Sequence, residues 1–324
     1  MAIVTGEEIH AAALACGFDN CGIVPLSDLA GYGERLAERM EKVPMSSMMY
    51  NAFKGFAHPQ DAFPWGKAAV VTMLWFGKYR FPKSLRGHYG KAFLLSQETE
   101  PSCRDRQGML QFRQWMTDHG IRWEGGESYG PSRNLPLRYA AVKAGLGTFR
   151  QNNFFYGPKG SWYELEGYII DQDVIYKEDP NVRPCPPKCG LCRKACPSGA
   201  LSEAYTMNPF ACVSFTTTFG DGKPIPPSTL EQVGEWICGC DACQDACPFN
   251  RRHDWDEGGD FPGLPEITEL LSPEGLLAAS DEDLKKNVIP KTVNHLRDDQ
   301  TDLLRRMAKK LHRPSRAERC RIRR

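Results

Sequence analysis

Two runs of cysteine set the terms for the rest of this chain. "CPPKCGLCRKACPSGA" (185–200) holds four thiols within twelve residues, and "CGCDACQDACPFNR" (238–251) holds four more. Cys189, Cys192 and Cys196-Pro197 are spaced C-x2-C-x3-C-P. Cys240, Cys243 and Cys247-Pro248 repeat that ruler at a constant offset of 51 residues. The spacing matches most of the run C-x2-C-x2-C-x3-C-P, in which the thiolate before proline ligates the other of two [4Fe–4S] clusters. The logic is compactness. C-x2-C turns a loop so that two thiolates face one iron–sulfur cube, and the C-x3-C-P step hands its thiolate to the neighbour.

The fourth ligand of each set departs from the simple run. Cys185 stands one residue too far upstream, with Pro186, Pro187 and Lys188 between it and Cys189, yet a bulged loop can still deliver it. In the second half Cys238 and Cys212 compete. Cys238-Gly239-Cys240 is cramped for two ligands of one cube, which favours Cys212. The spacing thus predicts Cys185, Cys189, Cys192 and Cys247 around one cluster, and Cys196, Cys212, Cys240 and Cys243 around the other. Zinc is the plainer alternative, since two C-x2-C knuckles make one four-thiolate site. Zinc explains neither the Cys-Pro of each half nor Cys212. Cys16, Cys21, Cys103, Cys238 and Cys320 have no partner pattern and read as small core or surface residues.

Thirteen cysteines, nine of them between 185 and 247, would be an odd disulfide set. No basic and apolar leader opens the sequence, so a reducing, cytoplasmic location is expected, and metal binding suits it better than disulfides. At 324 residues, with 41% hydrophobic and 25% charged residues, the composition is that of a soluble globular protein. The longest apolar run, "AAVVTMLWF" (68–76), is too short to span a bilayer and reads as a buried strand, so no membrane partner is expected.

"TGEEIHAAALACGF" carries a capping box and helical spacing. "DNCGIVPL" reads as a strand, "DLAGYGERLAERMEKV" (28–43) as a helix, and "KAAVVTMLWF" as a central strand. "DRQGMLQFRQWMTDHG" (105–120) is a helix closed by glycine. "LRYAAVKAGLG" runs from helix into a Gly-rich turn, and "SWYELEGYIID" has β character. The expected class is α+β: a mixed α/β domain over 1–178, a ferredoxin-like double-cluster domain over 179–255, and a helical C-terminal segment over 256–324. The net charge of +1 is uneven. Ten Lys/Arg against Glu318 alone give +9 over residues 305–324, leaving −8 elsewhere. Such a tail could track nucleic-acid phosphates, although a solvated end is the simpler reading.

Two cubes make a short wire, and a wire alone does not need some 178 residues in front of it. Here the sequence resembles the cobalamin-dependent epoxyqueuosine reductases. "ACPSGAL", "CVSFTT", "PIP" and "GCDACQDACPFNR" carry the likeness in the cysteine region, and "LRYAAVKAGLGTFRQNNFFYGPKGSW" carries it before. "LLRRMAKKL" carries it near the C-terminus. The likeness spans about residues 7–312 and is loose before 100. It implies a base-off cobalamin in the α/β domain, near one of the two clusters. The clusters would feed single electrons to cobalt, whose Co(I) state would reduce an epoxide-type substrate such as epoxyqueuosine in tRNA. It further implies that Arg138, Gly145, Gly147, Asn152, Gly160 and Trp162 line the corrin pocket, though a helix C-cap accounts for the glycines equally. It also implies a ferredoxin- or flavodoxin-type electron donor, with tRNA as a candidate partner through the basic tail.

The sequence also departs from that family. The family's proton-donating aspartate, a few residues before the position of Arg138, falls on Pro131, and no aspartate occurs between Asp118 and Asp171. A proton donor must lie within hydrogen-bond reach of the reacting bond. Tyr129 is the first substitute and Glu127 the second; a packed tyrosine in a surface loop is the alternative. The family's Gly-Lys-Asn reads Arg150-Gln151-Asn152. Reductive dehalogenation of a small molecule, or electron transfer to a partner without cobalamin, are the competing functions.

Overall fold

The computed structural model describes residues 4–126, 135–179, 181–219, 227–251, 253–292 and 296–311. Its first half is built on the apolar run. The strand β2 (Ala68–Trp75) is almost wholly buried. It lies between β1 (Asn20–Pro25) and β4 (Tyr163–Ile170), and β3 (Trp123–Gly125) pairs with β4 at the edge. The order is β1-β2-β4-β3 and every pair is antiparallel.

A strand covered on both faces shows no polar alternation, but its side chains still alternate between two cores. Ala68, Val70 and Leu74 join Ile9, Met109, Phe112 and Met116 beneath helices α1 (Gly6–Ala15) and α3 (Arg104–Asp118). Ala69, Val71 and Met73 join Ala140, Ala141, Ala144 and Leu146, from helix α4 (Leu137–Lys143) and the turn after it. The capping box of α1 is present: Thr5 Oγ1 accepts the Glu8 amide at 3.2 Å, and Glu8 Oε2 accepts the Thr5 amide at 2.7 Å. Helix α2 (Tyr32–Lys42) begins four residues later than expected from Asp28, because a 3-10 turn occupies Leu26–Leu29 and Gly31 caps the helix.

A third core ties the rest together. Phe81, Leu85, Tyr89 and Leu94, from the long connection after β2, pack with Val213, Ile237 and Cys238 of the cysteine-rich region and with Leu271, Leu276, Leu284, Leu303 and Met307 beyond it. Tyr89 donates its hydroxyl to the Leu271 carbonyl at 2.8 Å. The C-terminal part is helical, with α6 (Pro273–Ala278) and α7 (Thr301–Leu311) following α5 (Val213–Thr218) of the cysteine region. Leu303, Leu304, Met307 and Ala308 of α7 are buried, and Arg305 is paired with Asp281. The basic run therefore starts as the outer face of a docked helix; its remainder, 312–324, lies outside the described residues. No helix among the described residues is long and apolar enough to cross a membrane.

Helix α3 crosses α1 at a glycine. A Cβ on Gly108 would stand 2.0 Å from the Cys16 carbonyl oxygen, the C-cap of α1. Gly108→Ala gains about 0.8–1 kcal/mol of helix propensity, but overpacking of fixed backbone costs roughly 1–3 kcal/mol. Urea unfolding is expected to show a net loss of stability, so an unchanged or raised midpoint would mean that α1 is free to move away.

Candidate functional site

The cysteine region folds as two short turns of helix, Leu191–Lys194 and Ala242–Asp245, each following its C-x2-C or running through it. Their thiols fall into two groups according to which charges act on which. The Cys192 thiol is pushed up to about 11, by burial first and then by Cys185, Cys247 and Cys189. Burial also raises Cys243 well above the ordinary thiol range, with Cys240, Cys212 and Cys196 adding to it. Cys240 is raised by burial and feels Cys212 and Cys196 as well. Cys238 is different. Burial alone pushes it up to about 12, and it sits in the third core with no other thiol acting on it. Among the described residues no three Cys, His, Asp or Glu side chains form a group that could hold a single metal ion.

The strap from Thr148 to Trp162 seats these thiols against the α/β domain. Its Arg150, Gln151, Asn152 and Asn153 are all buried. Gln151 Nε2 donates to the carbonyls of Pro186 and Pro187, each at 3.3 Å, and so holds the bulge between Cys185 and Cys189. Asn152 Nδ2 donates to the Cys243 carbonyl at 3.3 Å and to the Tyr156 hydroxyl at 2.9 Å. From the other side Asn250, three residues after Cys247, accepts the Ser161 amide at 2.9 Å. Its Nδ2 donates to Ser161 Oγ at 2.8 Å and to the Gln244 carbonyl at 2.9 Å. Under the second group, Lys91 Nζ is buried and meets Asp241 at 3.1 Å and Asp245 at 2.9 Å.

A cavity of about 320 Å³ opens on the far side of the strap, lined by Arg35, Arg39 and Lys42 of α2, Phe149, Pro184 and Tyr205 among others. Pro184 is next to Cys185. The Arg35 guanidinium is pulled down to about 10 by burial and by the charges of Arg39 and Arg138. Arg39 is buried, and its Nε has no hydrogen-bond partner. Lys42 is already paired with Glu38, which also lines the cavity. The two arginines, with a spare donor, therefore form the site for a ligand rich in carbonyl or phosphate oxygens, which fits the amide and nucleotide arms of cobalamin.

The six residues assigned to a corrin pocket fall in three places. Arg138 acts electrostatically on Arg35 of this cavity without lining it, and donates to the Asn153 carbonyl at 2.8 Å. Gly145, at φ +75°, is the left-handed residue that closes α4, and a Cβ there would meet the Glu178 carbonyl oxygen at 1.9 Å. Gly147 is similarly closed off by the Tyr156 carbonyl oxygen at 2.2 Å. Asn152, Gly160 and Trp162 face the cysteine region: Gly160 adjoins Asn250, and Trp162 is buried against Trp255 in the third core. Tyr129 and Glu127 fall in 127–134, outside the described residues. Sequence reasoning missed Arg35, Arg39 and Asn250, which carry no spacing signal and meet their partners only through the fold.

Residues 185–250 match the family model described as a 4Fe-4S double cluster binding domain. An epoxyqueuosine reductase of Salmonella typhimurium is 34% identical over 281 residues, covering 82% of this chain and 71% of the relative. This chain belongs to the epoxyqueuosine reductase family. Its relative from Cellulophaga algicola is 28% identical over 258 residues, 75% of this chain and 78% of that one. The match to the Prochlorococcus marinus enzyme, at 31% identity, covers only 43% of that protein. The fold is shared with solved family structures. Bacillus subtilis epoxyqueuosine reductase superposes with a TM-score of 0.73 at 24% identity, covering 93% of this chain and 79% of that one. A family member solved with an epoxyqueuosine-modified tRNA-Tyr stem loop superposes at 0.71, with the same identity and coverage.

The Asn250 amide is the bolt between the two halves. Asn250→Ala strands the Ser161 amide in a buried seam, while the Ser161 hydroxyl keeps its bond from Gln244 Nε2 at 2.8 Å. An unpaired buried group costs about 1–3 kcal/mol. A loss of roughly 1–3 kcal/mol is expected in chemical denaturation. A loss under about 0.5 kcal/mol, as for a surface substitution, would show that the seam is wet.

Proposed function

We propose that this chain is a cobalamin-dependent iron–sulfur reductase that removes the epoxide oxygen of epoxyqueuosine in tRNA, with two electrons and two protons. The observation that carries the reading is the pairing of two four-thiol groups with a cationic cavity beside one of them, in a chain of this family. Cys185, Cys189, Cys192 and Cys247 would hold one [4Fe–4S] cluster, and Cys196, Cys212, Cys240 and Cys243 the other. Arg35, Arg39 and Arg138 would hold the oxygen-rich arms of cobalamin. When bound, the clusters would supply electrons one at a time and the corrin would supply a two-electron reductant, a potential that no side chain reaches.

This chain's own residues have separate tasks. The strap and Asn250 keep the thiol groups registered to the α/β domain. Burial keeps water from the seam. The arginines orient an anionic or amide-bearing ligand without giving up a proton. Proton delivery falls to Tyr129 in this reading, with Glu127 second, since the family's aspartate position is Pro131. The ends of that segment are anchored on the sheet: the Gly126 amide donates to the Gly167 carbonyl at 3.0 Å, and Leu135 packs over Gly167. The solved family member with a modified tRNA stem loop supports tRNA as the substrate carrier. A ferredoxin- or flavodoxin-type protein is the proposed donor.

The deciding experiment is anaerobic reconstitution with iron, sulfide and cobalamin, followed by assay on tRNA carrying epoxyqueuosine; appearance of queuosine is expected. A protein that loads both clusters and corrin but leaves the epoxide intact would move the substrate elsewhere. Cys243→Ala is expected to lose about half the iron and all turnover, whereas Cys238→Ala keeps its iron. Iron retained in the first or lost in the second would overturn the ligand sets. Tyr129→Phe is expected to keep iron and corrin while cutting turnover by about 10²–10⁴-fold, the usual worth of a general acid. Full activity in that variant would hand the proton to Glu127 or to solvent.

A further inference from the structure

The strap holds a buried cation that the scheme above does not use. Arg150 is 2% exposed, and only its Nη2 is spoken for, donating to the Arg183 carbonyl at 2.7 Å. Its Nε and Nη1 are buried with no hydrogen-bond partner, and no carboxylate pairs with it among the described residues. A buried charge left unpaired, with two idle donors, is costly unless something meets it. What surrounds Arg150 says what that is. The Phe249 ring lies 3.2 Å from its guanidinium carbon, two residues after Cys247, and the Tyr156 ring lies at 5.0 Å. Arg183, which takes its one satisfied bond, is two residues before Cys185. The guanidinium is thus wedged between the two chain segments that bring in the outer thiols of the first group.

The second group is dressed the opposite way. A buried cation beside it, Lys91, is answered by two carboxylates, Asp241 and Asp245, of which Asp241 stands between Cys240 and Cys243. One group therefore faces an unanswered positive charge and the other a slight excess of negative charge. Cluster potentials are set by net charge, by hydrogen bonds to sulfur and by solvent exposure, and positive charge favours the reduced, more negative state.

We propose that Arg150 is a tuning residue for the cluster of the first group: its free N–H donors bond to cluster sulfur, and its unpaired charge makes that cluster the easier of the two to reduce. This rests on the ligand sets proposed above. An electron delivered to the second cluster by an external one-electron carrier of the iron–sulfur or flavin class would then pass downhill to the first, next to the arginine-lined cavity.

The test is an EPR-monitored redox titration of the reconstituted, corrin-loaded protein, with iron counted beforehand. Two one-electron cluster midpoints are expected, read from the reduced-cluster signals apart from that of the cobalt. Arg150→Gln is expected to lower the upper midpoint alone, cutting the reduced-to-oxidised ratio at fixed potential about tenfold, or about 59 mV. Arg150→Lys, which keeps charge but loses the forked donors, is expected to cut it about threefold. An upper midpoint unmoved in protein that holds all its iron overturns the proposal while leaving the ligand sets standing. So does an equal fall of both midpoints, or a loss of bound corrin with unchanged midpoints, which would give Arg150 to the cavity instead. Should Arg150→Gln fail to load iron, the lysine variant decides alone: no shift in its upper midpoint overturns the proposal.

Discussion

Thiolates repel one another, and that repulsion shapes this molecule. The Cys192 thiol is driven up to about 11 by its burial and by the thiols gathered around it. Cys240 and Cys243 are driven higher still. Such groups stay protonated unless a cation joins them, and iron is the cation that their spacing suits. Holding the sulfurs close before the metal arrives is work for the surrounding chain. Gln151 grips the loop between Cys185 and Cys189, Asn152 grips the Cys243 carbonyl, and Asn250 grips the strap in return. Each of these is a neutral amide, able to bond without adding charge to a crowded site.

The same need explains why the cysteine region is not a free-standing wire. Its outer surface is completed by the third core, which takes Phe81, Leu85 and Tyr89 from the front half and Leu271, Leu303 and Met307 from the C-terminal part. The short parallel pairing of Tyr79–Arg80 with Gly259–Asp260 closes the same seam. A small loop-rich module has too little apolar surface to stand alone. Borrowing a core from both flanks fixes its position relative to the cavity, and electron transfer depends on that distance.

Local signals were legible in the sequence, and long-range ones were not. The capping box at Thr5 and Glu8 involves neighbours and reads directly, as do the buried run of β2 and the glycine that ends α3. The delayed start of α2 was missed because the 3-10 turn at Leu26–Leu29 competes with helix over the same residues. At the site, cysteine spacing carried far because a cube imposes a ruler on the chain. Nothing imposes one on Arg35, Arg39 or Asn250. Arg35 and Arg39 look like ordinary charges on an amphipathic helix, and only the fold turns them toward Phe149 and Tyr205. The glycines of "AGLG" read locally as a helix C-cap, and backbone oxygens of this chain occupy the space a Cβ would take at each.

Where this chain keeps and where it changes the family's residues bears on what it reduces. In the proposed scheme the cysteines serve electron delivery and the Asn152 and Asn250 amides serve assembly, and any substrate reduced by this route would need them. By the resemblance, Pro131 falls where the family's proton donor is expected, and Arg150-Gln151 where a glycine and a lysine are expected. In the proposed scheme the first concerns the proton and the second the electron. Moving a lysine's charge one residue back onto a buried guanidinium keeps the strap positive, but takes that charge from a flexible point donor to a planar fork wedged at Phe249. If Tyr129 supplies the proton and Arg150 tunes the cluster as proposed, the two changes together shift the balance between proton and electron supply and leave the chemistry they serve in place.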